Sequence, residues 1–291
     1  MDLPVNVRPA DFSGLIFDIG FHNGDDSAYY LSRGSTVVAV DANPLLIDQG
    51  RARFSSEIAS GRLTLVNAAM WHARGETIPF YVNELYSGKS SIDPDRDQPG
   101  GKFYQIDVGT ITITELFNRY GIPWYLKIDI EGADEIVLDT LPQGSPMPRY
   151  LSCELGEGPS MIDRLSVHGY TSFKLINPET LTQSLPIFNN EFFVRGLRKA
   201  SVLCPPVRSW IARLPNRIRP QKIFWDPPRT RFSYKFSLYS TGPFGEETAG
   251  PWLSEMEMRR GLEYLCKQHE RDGITHYWFD VHAKHGAAAT I

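Results

Sequence analysis

The sequence predicts an α/β fold in which a mostly parallel sheet carries helices on both faces. Strand-like apolar runs alternate with helix-like segments at least five times between Leu15 and Ile176, and this alternation is typical of parallel sheets. The first unit, residues 15 to 44, reads strand, glycine turn, helix and strand. Its second strand ends in Asp41, twenty-one residues after Gly20, where nucleotide-binding α/β folds place a carboxylate for a ribose diol.

Length and composition are those of an ordinary soluble protein. The 291 residues, 42% hydrophobic and 22% charged, are enough for one large domain or for a domain with an added segment. The formal net charge of -4 argues against general affinity for nucleic acids or membranes. The sequence shows no signal-peptide pattern and no apolar run of transmembrane length. Cys153, Cys204 and Cys266 are far apart, so we expect a reduced, cytoplasmic protein.

The glycine turn after the first strand differs from that of dinucleotide-binding folds. Asp18 and Asn23 occupy the first and third glycine positions of the Gly-x-Gly-x-x-Gly pattern. Asp25 and Asp26 then start the helix. These carboxylates repel a diphosphate, which argues against a dinucleotide oxidoreductase. They suit a ligand with a sulfonium, an ammonium and a ribose, such as S-adenosylmethionine. The alternative is that the acidic residues only cap the helix.

The following elements continue the alternation. A helix is expected over 44–60, and a strand over 63–66 runs into Asn67, Ala68 and Ala69. This polar and small strand end fits an adenine ring, or simply allows close packing. Further strands and helices are expected over 75–82, 102–113, 114–120, 124–132, 149–155, 160–168 and 172–176, with a loop over 84–101. Carboxylates stand at two of these strand ends, namely Asp129, Glu131 and Glu154.

The C-terminal part differs in charge. Between Pro178 and Arg231, ten Lys and Arg stand against three acids. If the last strand, expected over 273–281, is antiparallel, the connection 178–272 leaves and returns on the ligand side of the sheet, which predicts a lid. Its arginines would bind phosphate, sulfate or carboxylate. A solvated basic surface and a membrane-surface helix over 207–218 are the alternatives.

Two smaller expectations concern the last fifty residues. Ser254 and Glu257 form a capping box for a helix that runs to about Arg271. The antiparallel strand would place His276 nearer to the ligand side than His282, and residues from His285 onward read as a frayed tail.

Four motifs in order resemble the FkbM family of S-adenosylmethionine-dependent methyltransferases. They are Asp18-Ile-Gly-Phe-His-Asn-Gly-Asp-Asp-Ser27, Val40-Asp-Ala-Asn-Pro44, Asn67-Ala-Ala69 and Leu126-Lys-Ile-Asp-Ile-Glu-Gly132. The match covers Leu15 to about Ile176, and the four together are specific where one alone is weak. The resemblance implies a Rossmann-like class I methyltransferase fold, with a seven-stranded, mostly parallel sheet, an antiparallel last strand and helices on both faces. The chain then divides into a core, 1–177, a basic lid insertion, 178–272, and the last strand with its tail, 273–291.

The resemblance also implies a function. It is O-methylation of a hydroxyl on a sugar, glycan or natural product, and the basic insertion makes an anionic acceptor one option. The rival hypothesis is a non-catalytic module that binds S-adenosylmethionine as a regulator or scaffold. We expect a small-molecule or glycan acceptor as partner and no nucleic acid, and the sequence leaves the oligomeric state open.

The cofactor-binding residues follow from the positions in the family's motifs, and the catalytic candidates are carboxylates and histidines expected near the strand exits. Asp41 is expected on the ribose, and Asp129 near the reactive methyl. The cofactor-binding residues implied are Asp18, Gly20, His22, Asn23, Gly24, Asp25, Asp41, Ala42, Asn43, Asn67, Ala68 and Asp129. The catalytic candidates are Asp129, Glu131, Glu154 and His72, with His22 as a further possible base. Asp129, Glu131 and Glu154 are also a candidate site for Mg²⁺ or Ca²⁺, unless they contact the cofactor and cap helices.

Overall fold

The computed structural model describes residues 14–93, 102–143, 146–156, 159–178, 181–183, 230–231, 234–237, 240–272 and 279–286. The strands are β1 (Leu15–Ile19), β2 (Thr36–Asp41), β3 (Leu63–Asn67), β4 (Ala69–Met70), β5 (Thr77–Asn83), β6 (Phe103–Ile111), β7 (Tyr125–Ile128), β8 (Tyr150–Glu154), β9 (Tyr170–Asn177), β10 (Thr182–Gln183), β11 (Thr230–Arg231), β12 (Tyr234–Lys235), β13 (Leu253–Ser254) and β14 (Asp280–His285). The helices are α1 (Asp25–Ser32), α2 (Pro44–Arg53), α3 (Ser55–Ala59), α4 (Ile113–Tyr120), α5 (Asp134–Asp139), α6 (Ser160–Val167) and α7 (Glu255–Asp272).

The main sheet contains eight strands in the order β10-β9-β14-β8-β7-β1-β2-β3, and a ninth, β13, pairs with β9. Strands β3, β2, β1, β7 and β8 are parallel neighbours. β14 is antiparallel to both β8 and β9. The predicted α/β class is confirmed. The predicted count of seven strands is not, because the short strands β10 and β13 add to β9.

A second sheet of three strands, β4-β6-β5, stands beside the end of β3. Its main part is the antiparallel hairpin of β5 and β6, which pairs Thr77 with Gly109 at one end and Asn83 with Phe103 at the other. The first residues of the connecting loop are folded back on the hairpin. The Asn83 side chain accepts the N–H groups of Leu85 and Tyr86, and Ser91 pairs with Tyr81.

Each face of the main sheet has its own core. On one face, Phe17, Ile128 and Leu151 belong to a cluster with apolar residues of α4, α5, α6 and α7. On the other face, Ile16 and Tyr125 pack with apolar residues of α1 and α2. Because strands buried on both faces need apolar residues at successive positions, β1 and β2 are mostly apolar, and Asp18 is the polar residue inside β1. A strand in this position tolerates a polar residue only where it finds a partner.

The segment 240–252 takes the place of a helix on the second face. Phe244 stacks on Tyr125 of β7, with ring centroids 4.5 Å apart and planes 5° from parallel. Glu246 accepts hydrogen bonds from the Tyr150 hydroxyl (2.9 Å) and the Lys284 ammonium (2.7 Å). Glu247 does the same for Tyr29 of α1 and for Arg33, the residue that follows α1. The segment is thereby fixed to three strands and a helix.

The last strand corrects two sequence predictions. β14 covers Asp280–His285, whereas we expected a strand over 273–281 with a tail from His285; residues 273–278 lie outside the described part. The strand extends further because β8 and β9 both pair with it up to Lys284, and β9 also pairs with His285. His282 therefore lies inside the sheet at 1% exposure. Burial, with a contribution from Lys174, lowers its pKa to about 3.

The predicted helix after Ser254 is confirmed as α7. Its capping box is present, since the Ser254 backbone N–H donates to the Glu257 carboxylate (2.8 Å) and the Glu257 N–H donates to Ser254 Oγ (3.4 Å). None of the helices in the described ranges is both long enough and apolar enough to cross a membrane.

We expect Phe244→Ala to lower the free energy of unfolding by about 2–3 kcal/mol, because the half-buried ring loses its stack on Tyr125. Urea denaturation measures this change. The control is Met256→Ala at the start of α7, where the side chain is 58% exposed, and we expect a change within about 0.5 kcal/mol. Equal effects of the two substitutions would mean that the segment 240–252 adds nothing to the folded core.

Candidate active site

A pocket lies at the carboxyl ends of β1, β2, β3 and β7, where ligands bind in open α/β sheets. It contains about 590 Å³ of space when the part open to solvent is included. The end of β2 and the turns that follow β1, β2 and β7 supply Gly20, His22, Val40, Asp41, Ala42, Asp129, Ile130, Glu131 and Ala133. Helix α2, the second sheet and its loop supply Leu46, Ala68, Ala69, Met70, Phe80, Ser87, Gly88, Ser90 and Ile92.

The turn after β1 brings two strand ends together. Gly20 and Phe21 both donate their N–H groups to the Val40 carbonyl, at 2.9 and 3.0 Å. Gly20 has a φ of 93°, and a Cβ at this position would lie 1.8 Å from the Asp129 carbonyl oxygen. Only glycine therefore allows the turn to pass this close to the exit of β7.

Asp41 is held in place at the end of β2. Its Oδ2 accepts the N–H of His22 and its Oδ1 accepts the N–H of Asn43, both at 2.8 Å. Burial raises the pKa of Asp41 to about 6, against the effect of these two hydrogen bonds. The carboxylate lines the pocket with a fixed orientation, as recognition of a diol requires.

The residues after β3 form a slot with small walls. Asn67 donates from its amide nitrogen to the carbonyls of Asp41 (3.0 Å) and Ala42 (3.1 Å). It thereby joins the end of β3 to the end of β2. Ala68 and Ala69 line the pocket beside this junction, and their methyl side chains leave room for a flat group.

Asp129 and Glu131 stand at the exit of β7. The Asp129 N–H donates to the Ile19 carbonyl (2.9 Å), and its side chain is 44% exposed. Glu131 has a φ of 45°, and its carbonyl accepts the Ser91 hydroxyl at 2.8 Å. This bond fixes the loop of the second sheet against the β7 exit.

The loop after β5 covers one side of the pocket through Ser87, Gly88, Ser90 and Ile92. His22 Nε2 lies 3.0 Å from Ser87 Oγ, which joins the β1 turn to this loop. Burial, followed by the nearby Lys127 ammonium, lowers the pKa of His22. The imidazole is therefore neutral at neutral pH and able to accept a proton.

A buried ionic cluster lies beneath the pocket. Lys127 Nζ donates to Asp18 Oδ1 and to the Gly20 carbonyl, each at 3.1 Å. It lies 3.3 Å from Asp26 Oδ2 and 3.7 Å from Asp129 Oδ2. Burial alone would lower the pKa of Lys127, but the three carboxylates raise it well above its usual value. The lysine is therefore charged at neutral pH.

The charge of the pocket lining is acidic. Among the described residues that line it are the carboxylates Asp41, Asp129 and Glu131, and none is Lys or Arg. Such a lining repels phosphate groups and attracts a cationic ligand.

A family model described as a methyltransferase FkbM domain matches residues 18–163, which is half of the chain and includes every residue lining the pocket. The chain belongs to the FkbM methyltransferase family. A search of curated proteins returns no match. The resemblance read from the four motifs is thus confirmed, and the pocket of this FkbM methyltransferase lies within the matched domain.

Seven of the residues implied by the motifs line the pocket of the FkbM domain: Gly20, His22, Asp41, Ala42, Ala68, Asp129 and Glu131. The others lie around it. Asp18 is fully buried under the turn, where it accepts the Ser27 hydroxyl at 2.6 Å. Gly24 is the left-handed residue before α1, and Asn43 caps α2 by accepting the Leu45 N–H.

Several predicted residues are engaged elsewhere. Asn23 accepts the Asp25 N–H, and Asp25 forms an ion pair with Arg53 at 2.9 Å. His72 packs against the Trp71 ring, and neither His72 nor Glu154 lines the pocket. Within the described ranges, no group of three His, Cys, Asp or Glu is placed to hold a metal ion, so the candidate metal site receives no support.

Sequence reasoning missed the second sheet as a wall of the site. Phe80, Ser87, Ser90 and Ile92 line the pocket, whereas the sequence predicted only a strand over 75–82 and a loop over 84–101. The lid over 178–272 stays a prediction, since residues 184–229 lie outside the described part. The described residues 240–272 line no part of the pocket.

We expect Gly20→Ala to destabilise this methyltransferase more than Gly75→Ala. Both glycines have positive φ, 93° and 72°, but a Cβ at Gly75 meets nothing within 4 Å. Gly75→Ala therefore reports backbone strain alone, about 1–2 kcal/mol. Gly20→Ala adds the collision with the Asp129 carbonyl. Urea denaturation of both variants tests this, and equal losses would show that the β1 turn does not need its close approach to β7.

Proposed function

We propose that this FkbM methyltransferase uses S-adenosylmethionine and transfers the methyl group to a hydroxyl of a sugar, glycan or natural product. The observation that carries the proposal is the Asp41 carboxylate, held by the N–H groups of His22 and Asn43 in a pocket whose described charged side chains are carboxylates. A ribose diol donates two hydrogen bonds, and a carboxylate with a fixed orientation accepts both.

The residues that line the pocket suit each part of such a cofactor. Asp41 would hold the ribose, and Ala68, Ala69 and Leu46 would enclose the adenine ring. The methionine end would lie between the Gly20 turn and Asp129. The sulfonium and the ammonium are both positive, and the acidic lining complements them. A dinucleotide would instead bring a pyrophosphate next to Asp129 and Glu131, with repulsion as the result.

Methyl transfer then depends on alignment and on removal of one proton. The bound cofactor supplies a methyl group on a positively charged sulfur. The residues of the pocket would align the acceptor oxygen with this methyl group and take up the hydroxyl proton while the carbon–sulfur bond is exchanged for the new carbon–oxygen bond. His22, Asp129 and Glu131 line the pocket, and His22 is the neutral one. All three were candidates from the sequence, and we keep them as candidates for the base because they line the pocket and Glu154 and His72 do not.

The acceptor class rests on the family resemblance. An anionic acceptor remains an option that depends on the basic stretch between Pro178 and Arg231. Within the pocket itself, three carboxylates favour a neutral hydroxyl compound over an anion. We therefore propose that the pocket binds the cofactor and the reacting hydroxyl. Any anionic group of the acceptor would bind to the basic stretch instead.

We expect S-adenosylhomocysteine to raise the melting temperature of the protein and NAD to leave it unchanged, because a ligand that binds only the folded state stabilises it. Asp41→Ala should weaken S-adenosylhomocysteine binding by about 10- to 100-fold through loss of the hydrogen bonds to a charged group. Calorimetry measures both affinities. The matched control is Asp48→Ala on α2, whose carboxylate is exposed and pairs with Arg51. An Asp41→Ala variant with wild-type affinity would remove Asp41 from the site and leave the proposal without its main support.

Binding should also depend on pH. Because the folded pKa of Asp41 is about 6, the carboxylate that accepts the ribose hydroxyls is half-protonated near that pH. S-adenosylhomocysteine affinity is therefore expected to rise as the pH increases from 5 to 7. The free energy of unfolding changes in the opposite direction. Because the pKa of Asp41 is raised in the folded protein, its contribution to the stability of the free protein is lost as the pH rises through about 6.

Asp41→Asn serves as the comparison for the pH series, because an amide at this position does not titrate. Its affinity should be lower at pH 7 and flatter between pH 5 and 7. Calorimetric titrations at several pH values measure both profiles. The same rise in wild type and in Asp41→Asn would assign the dependence to another group.

A further inference from the structure

The turn around Ser240 is connected to the cofactor pocket through buried polar groups. Asp26, 6% exposed at the start of α1, accepts the Ser240 hydroxyl and the Thr241 N–H. Its Oδ2 lies 3.3 Å from Lys127 Nζ. Lys127 in turn reaches the Gly20 carbonyl and Asp129. A chain of contacts thus runs from the segment 240–252 to two groups that line the pocket.

The cluster has more negative than positive groups. One ammonium, that of Lys127, faces Asp18, Asp26 and Asp129 at 3.1, 3.3 and 3.7 Å. Lys127 and Asp18 are 4% and 0% exposed, so water does little to screen them. Asp129 is the most distant of the three partners and the most exposed, with 44% of its side chain accessible. The interaction between Lys127 and Asp129 is therefore the most easily changed of the three.

We propose that Asp26 and Lys127 are positioning residues that couple the seating of the segment 240–252 to the charge presented by Asp129 in the pocket. The inference rests on the proposed function, since it concerns the affinity for S-adenosylmethionine. When Ser240 and Thr241 donate to Asp26, their hydrogen bonds stabilise the Asp26 carboxylate. The Lys127 ammonium then compensates more of the negative charge of Asp129. When these two hydrogen bonds are absent, Lys127 interacts more strongly with Asp26. Less of the Asp129 charge is then compensated, and the pocket is more negative at Asp129.

The consequence is a change in selectivity between two ligands that differ in charge. S-adenosylmethionine carries a sulfonium, whereas S-adenosylhomocysteine has a neutral sulfur. A more negative Asp129 therefore favours the first over the second. By reciprocity of coupling, an acceptor or another molecule that displaces the segment 240–252 would change cofactor binding, and the bound cofactor would change the affinity for that molecule.

The experiment measures Kd for both ligands by calorimetry and compares the ratio of Kd for S-adenosylhomocysteine to Kd for S-adenosylmethionine. We expect Ser240→Ala to raise the ratio about fivefold, at the lower end of ordinary coupling. The substitution changes no formal charge, so a shift of the ratio without equal weakening of both ligands indicates an effect through Asp26 and Lys127. We expect Asp26→Asn to lower the ratio, because Lys127 then has one anionic partner fewer and neutralises Asp129 more fully.

Two controls separate coupling from stability. Ser254→Ala removes a serine hydroxyl that also donates to a carboxylate, that of Glu257 at 2.7 Å, and Asp48→Asn neutralises an exposed acid of α2. Both should leave the ratio at the wild-type value. A merely structural role for Ser240 would lower the melting temperature and weaken both ligands equally.

An unchanged ratio in Ser240→Ala and Asp26→Asn would overturn the inference, and so would a shift of the same size in the controls. The proposed function fails in a different way, namely when the wild-type protein binds neither ligand. If the wild-type protein binds both ligands and the two variants shift the ratio in opposite directions, the coupling stands.

Discussion

The buried ammonium of Lys127 is the interaction on which the pocket depends. It joins the two strand ends that meet at the site, because it donates to Asp18 and to the Gly20 carbonyl from the neighbouring strand. A buried ion pair contributes little net stability over an apolar pair, yet removal of one partner costs about 3–5 kcal/mol. Its value here is geometric: the pair fixes β1 against β7 in the one register that brings Gly20 under the Asp129 carbonyl.

The same constraint explains why polar residues are acceptable inside a sheet buried on both faces. Asp18 interrupts the apolar run of β1, and Lys127 that of β7. The register places them opposite each other, so each satisfies the other. Ser27 supplies a further donor to Asp18. Asp18 and Lys127 do not line the pocket, but Lys127 holds the backbone of Gly20, which does.

Local features of the sequence predicted the parts of the fold that depend on local chemistry. The turn at Gly20, the carboxylate Asp41 and the capping box of α7 follow from neighbours a few residues apart, or from a motif with fixed spacing. Burial depth was not predictable in this way. Asp18 matched a cofactor position, but the motif identifies a residue type and not whether its side chain points to the ligand or to a buried lysine 109 residues away.

Contacts between distant parts of the chain account for most of what the sequence did not reveal. The wall formed by the loop after β5 is fixed by Ser91 and Glu131, forty residues apart, and the segment 240–252 is fixed by Glu247 and Tyr29, 218 residues apart. Both segments are rich in the Gly and Pro residues typical of turns, but this local signal describes only their backbone. The position of a turn-rich segment in the fold depends on contacts with distant residues, and a local sequence pattern does not identify those residues.

The acidic lining has a consequence for turnover under the proposed function. Methyl transfer converts a positively charged sulfur into a neutral one, so the attraction of Asp41, Asp129 and Glu131 for the ligand falls at the moment the product forms. A pocket of carboxylates alone would bind the substrate form much more tightly than the product form. Lys127 moderates this difference by compensating part of the charge of Asp129 from 3.7 Å below. The buried lysine that holds the two strand ends together therefore also limits how strongly the pocket distinguishes a cofactor from its own product.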